Sequence, residues 1–154
     1  MNKKQIIMTI GCSGSGKSTW ARKFLEQNPD YIYLNADTMR LCMTGDESNQ
    51  DRNHQVFQTL ENMVGYFMIL GKNLIIDCTN YNRKNRLIWN RLATAHDYQK
   101  TWVVFQTSLE QCIRNNEKRE RRVPVDVIRR QHENLSLPLD EGGEIQYVDW
   151  ENHA

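Results

Sequence analysis

Prolines are scarce in this 154-residue chain, three in all, and the four cysteines at 12, 42, 78 and 112 contain no C-x-x-C pair. They show no metal-like spacing with His54, His96, His132 and His153 either. Neither a disulfide framework nor a zinc module is expected; reduced thiols in a cytosolic protein fit better. Long hydrophobic runs are missing too. No apolar stretch reaches the ~20 residues of a membrane span, and the opening MNKKQIIMTIG is too short in apolar residues for a signal peptide. A soluble, intracellular protein with no membrane partner is expected. Charge of one sign is also lacking: 20 Lys+Arg stand against 19 Asp+Glu, so the net +1 names no partner. Its distribution says more. From Arg114 to Arg130 seven basic residues meet three acidic ones, a local excess of +4, which a solvated face would also explain.

What is present is alternation. Strand-length apolar runs recur at 5–11, 31–36, 73–79 and 101–107, with a late one at 144–150, and amphipathic stretches separate them. Runs apolar at consecutive positions predict strands covered on both faces, as in a parallel sheet. Between them, Val56, Leu60, Met63, Val64, Phe67 and Leu70 recur at helical spacing in a stretch that Gly71 can end. RKNRLIWNRLATAHD and SLEQCIRNNEKRE repeat the theme, the latter with Ser108 as N-cap. A further helix opens at Pro124. The pattern predicts a three-layer α/β fold with a mostly parallel sheet of about five strands. With no internal repeat and no linker, residues 1–154 read as one domain.

The eight glycines are spread unevenly: Gly11, Gly14 and Gly16 fall in one loop, G-C-S-G-S-G-K-S, between the first predicted strand and a predicted helix. That loop satisfies G-x-x-x-x-G-K-[ST] in the context the pattern demands. Such glycines let successive N–H groups of Gly11, Cys12, Ser13, Gly14, Ser15 and Gly16 converge on an anion, and the helix adds its positive end. Lys17 brings a full charge to the outer phosphates, the Ser18 hydroxyl can ligate a bridging Mg²⁺, and Thr19 can donate to the inner phosphate. A nucleoside triphosphate is the expected ligand. With no N-K-x-D stretch for guanine and little length for a motor, a small kinase is favoured over a switch.

Ligands of open α/β sheets gather beyond the carboxyl ends of the strands. The second strand runs into NADTMR, which puts Asp37 there with Arg40 three residues on. A carboxylate can orient an acceptor hydroxyl and take its proton; the arginine fork suits an acceptor phosphate or carboxylate. The third strand ends in IIDCTNYN. Asp77 there would hold Mg²⁺ through water or pair with an arginine, and Thr79 and Asn80 would reach the acceptor rim. Arg119, Arg121 and Arg122 sit between two predicted helices, where a lid (114–126) could close over the triphosphate. Trp20, Trp89 and Trp102 read as core residues, and alkylation at Cys12 would block the loop by bulk.

Taken together, TIGCSGSGKSTWARKF, QNPDYIYLNADTMR, IIDCTNYNRKNRLIW and RNNEKRERRVPVDVIRR followed by LSLPL resemble the 5′-kinase domain of bacteriophage-type polynucleotide kinases over nearly the whole chain. The resemblance implies a P-loop kinase fold and ATP- and Mg²⁺-dependent phosphorylation of a 5′-hydroxyl on DNA or RNA, as in nucleic-acid end repair. It makes Lys17 and Ser18 phosphate and Mg²⁺ contacts, Asp37 the general base and Arg40 the clamp on the acceptor's 3′-side phosphate. Asn116 and Arg119 match the family's lid, with Arg119 as the transition-state arginine and Arg121 or Arg122 as substitutes. The family's acid after the third strand aligns with Cys78 rather than Asp77. No D-x-D-G-T stretch occurs, so no 3′-phosphatase activity is expected. A small-metabolite kinase and a non-catalytic nucleotide-binding module are the competing readings. No feature indicates a homo-oligomer.

Overall fold

The apolar runs do become neighbouring strands, and the amphipathic stretches become the helices that cross between them. The computed structural model describes residues 2–47, 49–120 and 122–150. Its elements are β1 (Gln5–Ile10), α1 (Lys17–Gln27), β2 (Ile32–Asn35), α2 (Ala36–Thr44), α3 (Asn53–Ile69), β3 (Leu74–Asp77), α4 (Arg83–Ala95), β4 (Gln99–Phe105), α5 (Leu109–Glu117), α6 (Val125–Glu133) and β5 (Glu144–Val148). The five strands lie in the order β2-β3-β1-β4-β5. Every neighbouring pair is parallel, so each connection is a crossover carried by helices.

Burial on both faces accounts for the unbroken apolar runs. All four residues of β3 are buried, and five of six in β1. On one face Ile6, Met8, Ile10, Leu74 and Ile76 pack against Leu60, Val64 and Met68 of α3 and Trp89 of α4. On the other, Ile7, Ile75, Val103 and Phe105 meet Trp20 and Phe24 of α1. Trp20 stacks on Phe24 at 5.4 Å between centroids and sets its edge against Phe105. Trp89 and Trp102 are fully buried. The tryptophans at 20, 89 and 102 are therefore packing residues, as expected.

Local signals hold as well. The α3 stripe buries Val56, Leu60, Val64 and Met68, and Gly71, at φ +70°, ends the helix with its N–H on the Met68 carbonyl. Ser108 accepts from the Gln111 N–H as the N-cap of α5. β5 ends at Val148, earlier than the apolar pattern predicts. Asp149 and Trp150 thus lie beyond the strand, at the end of the sheet where ligands bind.

Topology fixes which end that is. β2 and β3 lie to one side of β1, and β4 and β5 to the other. The crossover direction reverses at β1, and a crevice opens past its carboxyl end. The glycine loop leaves β1 there.

Candidate active site

The loop is held from behind by α5 and α6. Gly14 has φ +85°, and a Cβ on it would lie 2.4 Å from the Cys112 carbonyl oxygen. Only glycine takes both that backbone and that contact. Asn115 Nδ2 donates to the Gly14 carbonyl at 2.8 Å, Thr107 Oγ1 to the Ser15 carbonyl at 2.8 Å, and the Ser13 N–H to Gln131 Oε1 at 2.9 Å. The Gly11 N–H goes to the Thr79 carbonyl, and the Ser15 N–H to that of Cys12. At the front, Lys17, Ser18 and Thr19 open α1 after Gly16, whose φ is +99° and which places no side-chain cap on the helix. An uncapped helix start aimed out of a glycine loop is an anion site. Lys17 Nζ donates to the Cys12 carbonyl at 2.9 Å and is folded over the loop.

The acid at the end of β3 faces this loop. Asp77 is only 3% exposed, and its carboxylate accepts from Ser18 Oγ at 2.8 Å, from Asn35 Nδ2 at 3.0 Å and from the Tyr33 hydroxyl. Burial, and then the Asp77 charge, push the Tyr33 phenol far above its ordinary range, so it stays a donor. Cys78, one step along the strand, points the other way into the core beside Leu34 and Ala36. Burial pushes its thiol up to about 12. A neutral, buried thiol cannot serve as the acid, and Asp77 is the carboxylate at the loop. A magnesium ion suits this corner: a hydroxyl and a carboxylate, both hard oxygen donors, meet next to the phosphate cradle. Among the described residues no group of three or more His, Cys, Asp or Glu side chains gathers into a metal cage.

Asp37 and Arg40 share a face of α2, directly after β2. The Asn35 side chain caps that helix by accepting from the Thr38 N–H. Arg40 Nη1 meets Asp37 Oδ1 at 2.7 Å, with the arginine side chain 6% and the aspartate side chain 54% exposed. Arg40 also donates to Asn53 Oδ1 at 2.7 Å and to the Glu47 carbonyl, while its buried Nε has no partner. After burial, the charges of Asp77 and Asp37 raise the Cys78 thiol and that of Lys17 lowers it. Asn80 departs from its expected place on the rim. It is 2% exposed, at φ +44°, with Nδ2 on the Thr9 carbonyl and Oδ1 accepting from Trp89 Nε1. Its amide is spent inside the protein, because β3 must turn sharply into α4 there. Thr79 remains half-buried at the rim.

The lid region is a loop closed at its base. Asn116 is buried and spans the turn, donating Nδ2 to the Val123 carbonyl at 2.7 Å and accepting from the Val123 N–H at 2.9 Å. Arg119 and Arg122 extend into solvent above it. Arg121 lies outside the described residues. Beside the loop a cleft of about 400 Å³ opens between residues 106–108, Gln111 and Arg114 of α5, and Asp149 and Trp150 past β5. A Cβ on Gly16 would sit 3.2 Å from the Trp150 ring.

The family model described as an AAA domain matches residues 6–138, a span that runs from β1 through the loop, the Asp37–Arg40 pair and the lid. The chain belongs to this family. Its P-loop kinase fold is shared with a protein in the structure of the Pnkp1/Rnl/Hen1 RNA repair complex, at TM-score 0.78 and 22% identity over 88% of this chain and 45% of that one. A gluconokinase from Sinorhizobium meliloti 1021 has the same fold, at TM-score 0.63 and 18% identity over 97% of this chain and 84% of the other. In sequence, the protein named bifunctional polynucleotide kinase/RNA ligase from Autographa californica nuclear polyhedrosis virus is 29% identical over 143 residues. The match covers 85% of this chain, which spans only 21% of that relative's length.

Sequence reasoning missed several residues that this family member brings to the site. Tyr33 and Asn35 hold Asp77, and their alternation on β2 two positions apart was a usable signal, since both must share a face. Gln131, Thr107 and Asn115 grip the loop from other elements, and no local pattern announces them. No helix among the described residues is long and apolar enough to cross a membrane.

Proposed function

We propose that this chain transfers the γ-phosphoryl group of ATP to a 5′-hydroxyl end of DNA or RNA. The observation that carries the reading is the Asp37–Arg40 pair: a half-exposed carboxylate joined at 2.7 Å to a buried guanidinium, on the helix that starts where the strand next to Asp77 ends. In this reading the amides of Cys12, Gly14 and Gly16, the start of α1 and Lys17 hold the triphosphate, since those of Gly11, Ser13 and Ser15, expected in sequence to converge on the anion, are bonded within the fold; the base occupies the cleft by Trp150. Ser18 and, through water, Asp77 would hold Mg²⁺, which when bound offsets charge on the phosphates. Asp37 orients the acceptor hydroxyl and takes its proton as the new P–O bond forms. An acceptor phosphate draws Arg40 away from Asp37, which frees the carboxylate for the hydroxyl, and the Nη1 donor that Asp37 releases passes to the phosphate. Arg119 or Arg122 descends from the lid onto the transferring group. The polynucleotide kinase/RNA ligase relative and the RNA repair neighbour support a nucleic-acid acceptor.

A second reading, phosphorylation of a small metabolite, is favoured by one observation: the gluconokinase fold covers 97% of this chain. One experiment separates the readings. The protein is incubated with γ-labelled ATP, Mg²⁺ and, in parallel, a 5′-hydroxyl oligonucleotide, nucleosides or gluconate. Label on the oligonucleotide alone is expected. Label on a monomer without a 3′-phosphate would overturn the reading, and hydrolysis with no transfer would favour a nucleotide-binding module.

A further inference from the structure

The back of the phosphate loop holds a pair of thiols that the phosphoryl chemistry does not use. Cys12, the second residue of the loop, and Cys112, in the middle of α5, are a hundred residues apart in sequence, yet their sulfurs lie 3.1 Å from one another. All four cysteines are free, and these two are buried. Together with Ile128 of α6 they make a small core of their own, in which Leu109, Ile113 and Val123 pack around them. Cys12 also lines a second cleft, of about 330 Å³, bounded by residues 104–108, His132 and Tyr147. A small oxidant in that cleft would lie against residue 12. The contact with Cys112, opposed by burial and helped by the nearby Lys17 ammonium, lowers the Cys12 thiol, while the same contact and burial drive Cys112 upward. Cys12 is thus the partner that gives up its proton more readily, and the Cys112 thiol can donate a hydrogen bond to the thiolate that forms.

We propose that Cys12 and Cys112 form a reversible oxidation site, in which a peroxide converts the two thiols to a disulfide that weakens nucleotide binding by the loop. The Cys12 thiolate attacks one peroxide oxygen, the O–O bond breaks, and a sulfenic acid forms on Cys12 with release of water once the leaving hydroxide is protonated. The Cys112 sulfur then attacks the Cys12 sulfur, giving up its proton, and a second water leaves. Two thiols and one hydrogen peroxide become one disulfide and two waters; the sulfurs lose two electrons and the peroxide gains them. A dithiol reductant reverses the step by thiol–disulfide exchange.

The cost to the loop follows from its packing. Forming the bond brings the sulfurs from 3.1 Å to about 2.0 Å. The loop and α5 cannot close that gap as rigid bodies, because Gly14 already rests on the Cys112 carbonyl so closely that a Cβ would lie 2.4 Å away. The part of the contraction that side-chain rotation does not absorb goes into the backbone at Cys12, whose carbonyl accepts from Lys17 Nζ and from the Ser15 N–H. Displacement of these groups spoils the convergence on which phosphate binding rests. The proposal rests on nucleotide binding by the loop and is independent of the acceptor.

The test is to titrate the reduced chain with a fluorescent ATP analogue, treat it with limiting hydrogen peroxide, and repeat the titration, with peptide mass spectrometry of each sample. Expected is a Cys12–Cys112 cross-link with a mass loss of about 2 Da, affinity weaker by roughly tenfold, and recovery with dithiothreitol. The Cys112→Ala and Cys112→Val variants, each compared before and after peroxide with its own reduced form, should lose the reversible response. No cross-link at this pair, or a cross-link with unchanged affinity, would overturn the proposal, as would an equal and reversible loss in both variants. A reduced chain that binds no analogue would instead refute the loop reading, and the first titration detects that separately.

Discussion

Replacing Gly14 by alanine tests how tightly the phosphate loop is seated on α5. At φ +85° an alanine is strained, and its Cβ would lie 2.4 Å from the Cys112 carbonyl oxygen, a backbone atom with little freedom to retreat. A left-handed backbone costs an L-residue about 1–2 kcal/mol, and overpacking a close contact about 1–3 kcal/mol. The sum is about 2–5 kcal/mol. For a chain of this size each kcal/mol shifts Tm by about 2–4 °C, so a fall of roughly 4–20 °C is expected. Gly65→Ala supplies the matched control. It lies inside α3, and the one atom near its added Cβ is Leu92 Cδ2 at 3.8 Å. There the same substitution removes backbone freedom from the unfolded chain and should stabilise by about 0.5–1 kcal/mol. Urea unfolding followed by circular dichroism measures both, and nucleotide titration should show weakened binding for Gly14→Ala alone. If Gly14→Ala stays within about 0.5 kcal/mol of the parent, or if the two variants shift in the same direction, the packing argument fails.

The remaining expectations concern the acceptor side, a buried ion pair and pH. Asp37→Ala should cut phosphoryl transfer by about 10²–10⁴-fold with ATP affinity nearly intact, read from initial rates and a binding titration. Arg40→Ala should raise the acceptor KM much more than the ATP KM, and an unchanged acceptor KM would count against the clamp; the stability cost should be about 1.5–3 kcal/mol, because Asp37 and Asn53 lose a charged partner. Glu141 accepts three hydrogen bonds from Arg86, both side chains are nearly inaccessible, and the guanidinium also lies over Trp102. Glu141→Ala leaves that charge unpaired and should destabilise by about 3–5 kcal/mol, with Arg86→Met/Glu141→Leu recovering much of the loss; a double variant no more stable than the single one would refute this. Cys78 keeps its proton up to about 12 when folded, against an ordinary 9.0. Between those values the unfolded chain has lost a proton that the native state retains, so stability falls as pH rises, by up to about 1.4 kcal/mol per unit from this group. The fall should be shallower in Cys78→Ala, and identical slopes would rule the contribution out.

Much of the architecture was legible because it is local or periodic. The strands at 5–10, 74–77 and 99–105 announce themselves through the consecutive apolar residues inside them, IIM, LII and WVVF, since a parallel sheet covered on both faces demands them. The loop announces itself because anion binding by backbone amides needs specific residues at adjacent positions. The Asp37–Arg40 pair was within reach because three residues on a helix put both side chains on one face. Asn80 was misjudged for a related reason: its strand-end position is visible in sequence, but whether its amide faces the crevice or the core depends on Trp89 and Thr9.

The amino-acid sequence by itself determined the kind of layer the chain builds, the strand that carries the phosphate loop and the residues that can bind there, because these follow from periodicity, glycine freedom and helix polarity over a few neighbouring positions. Tertiary structure alone decided which way the acid at the end of β3 points, that Tyr33 and Asn35 hold it, and that α5 and α6 grip the loop through Gln131, Asn115 and the Cys112 carbonyl. Those contacts join residues about forty to more than a hundred positions apart. Distances between such residues are set by how helices settle on the sheet, and no short-range pattern encodes that settling.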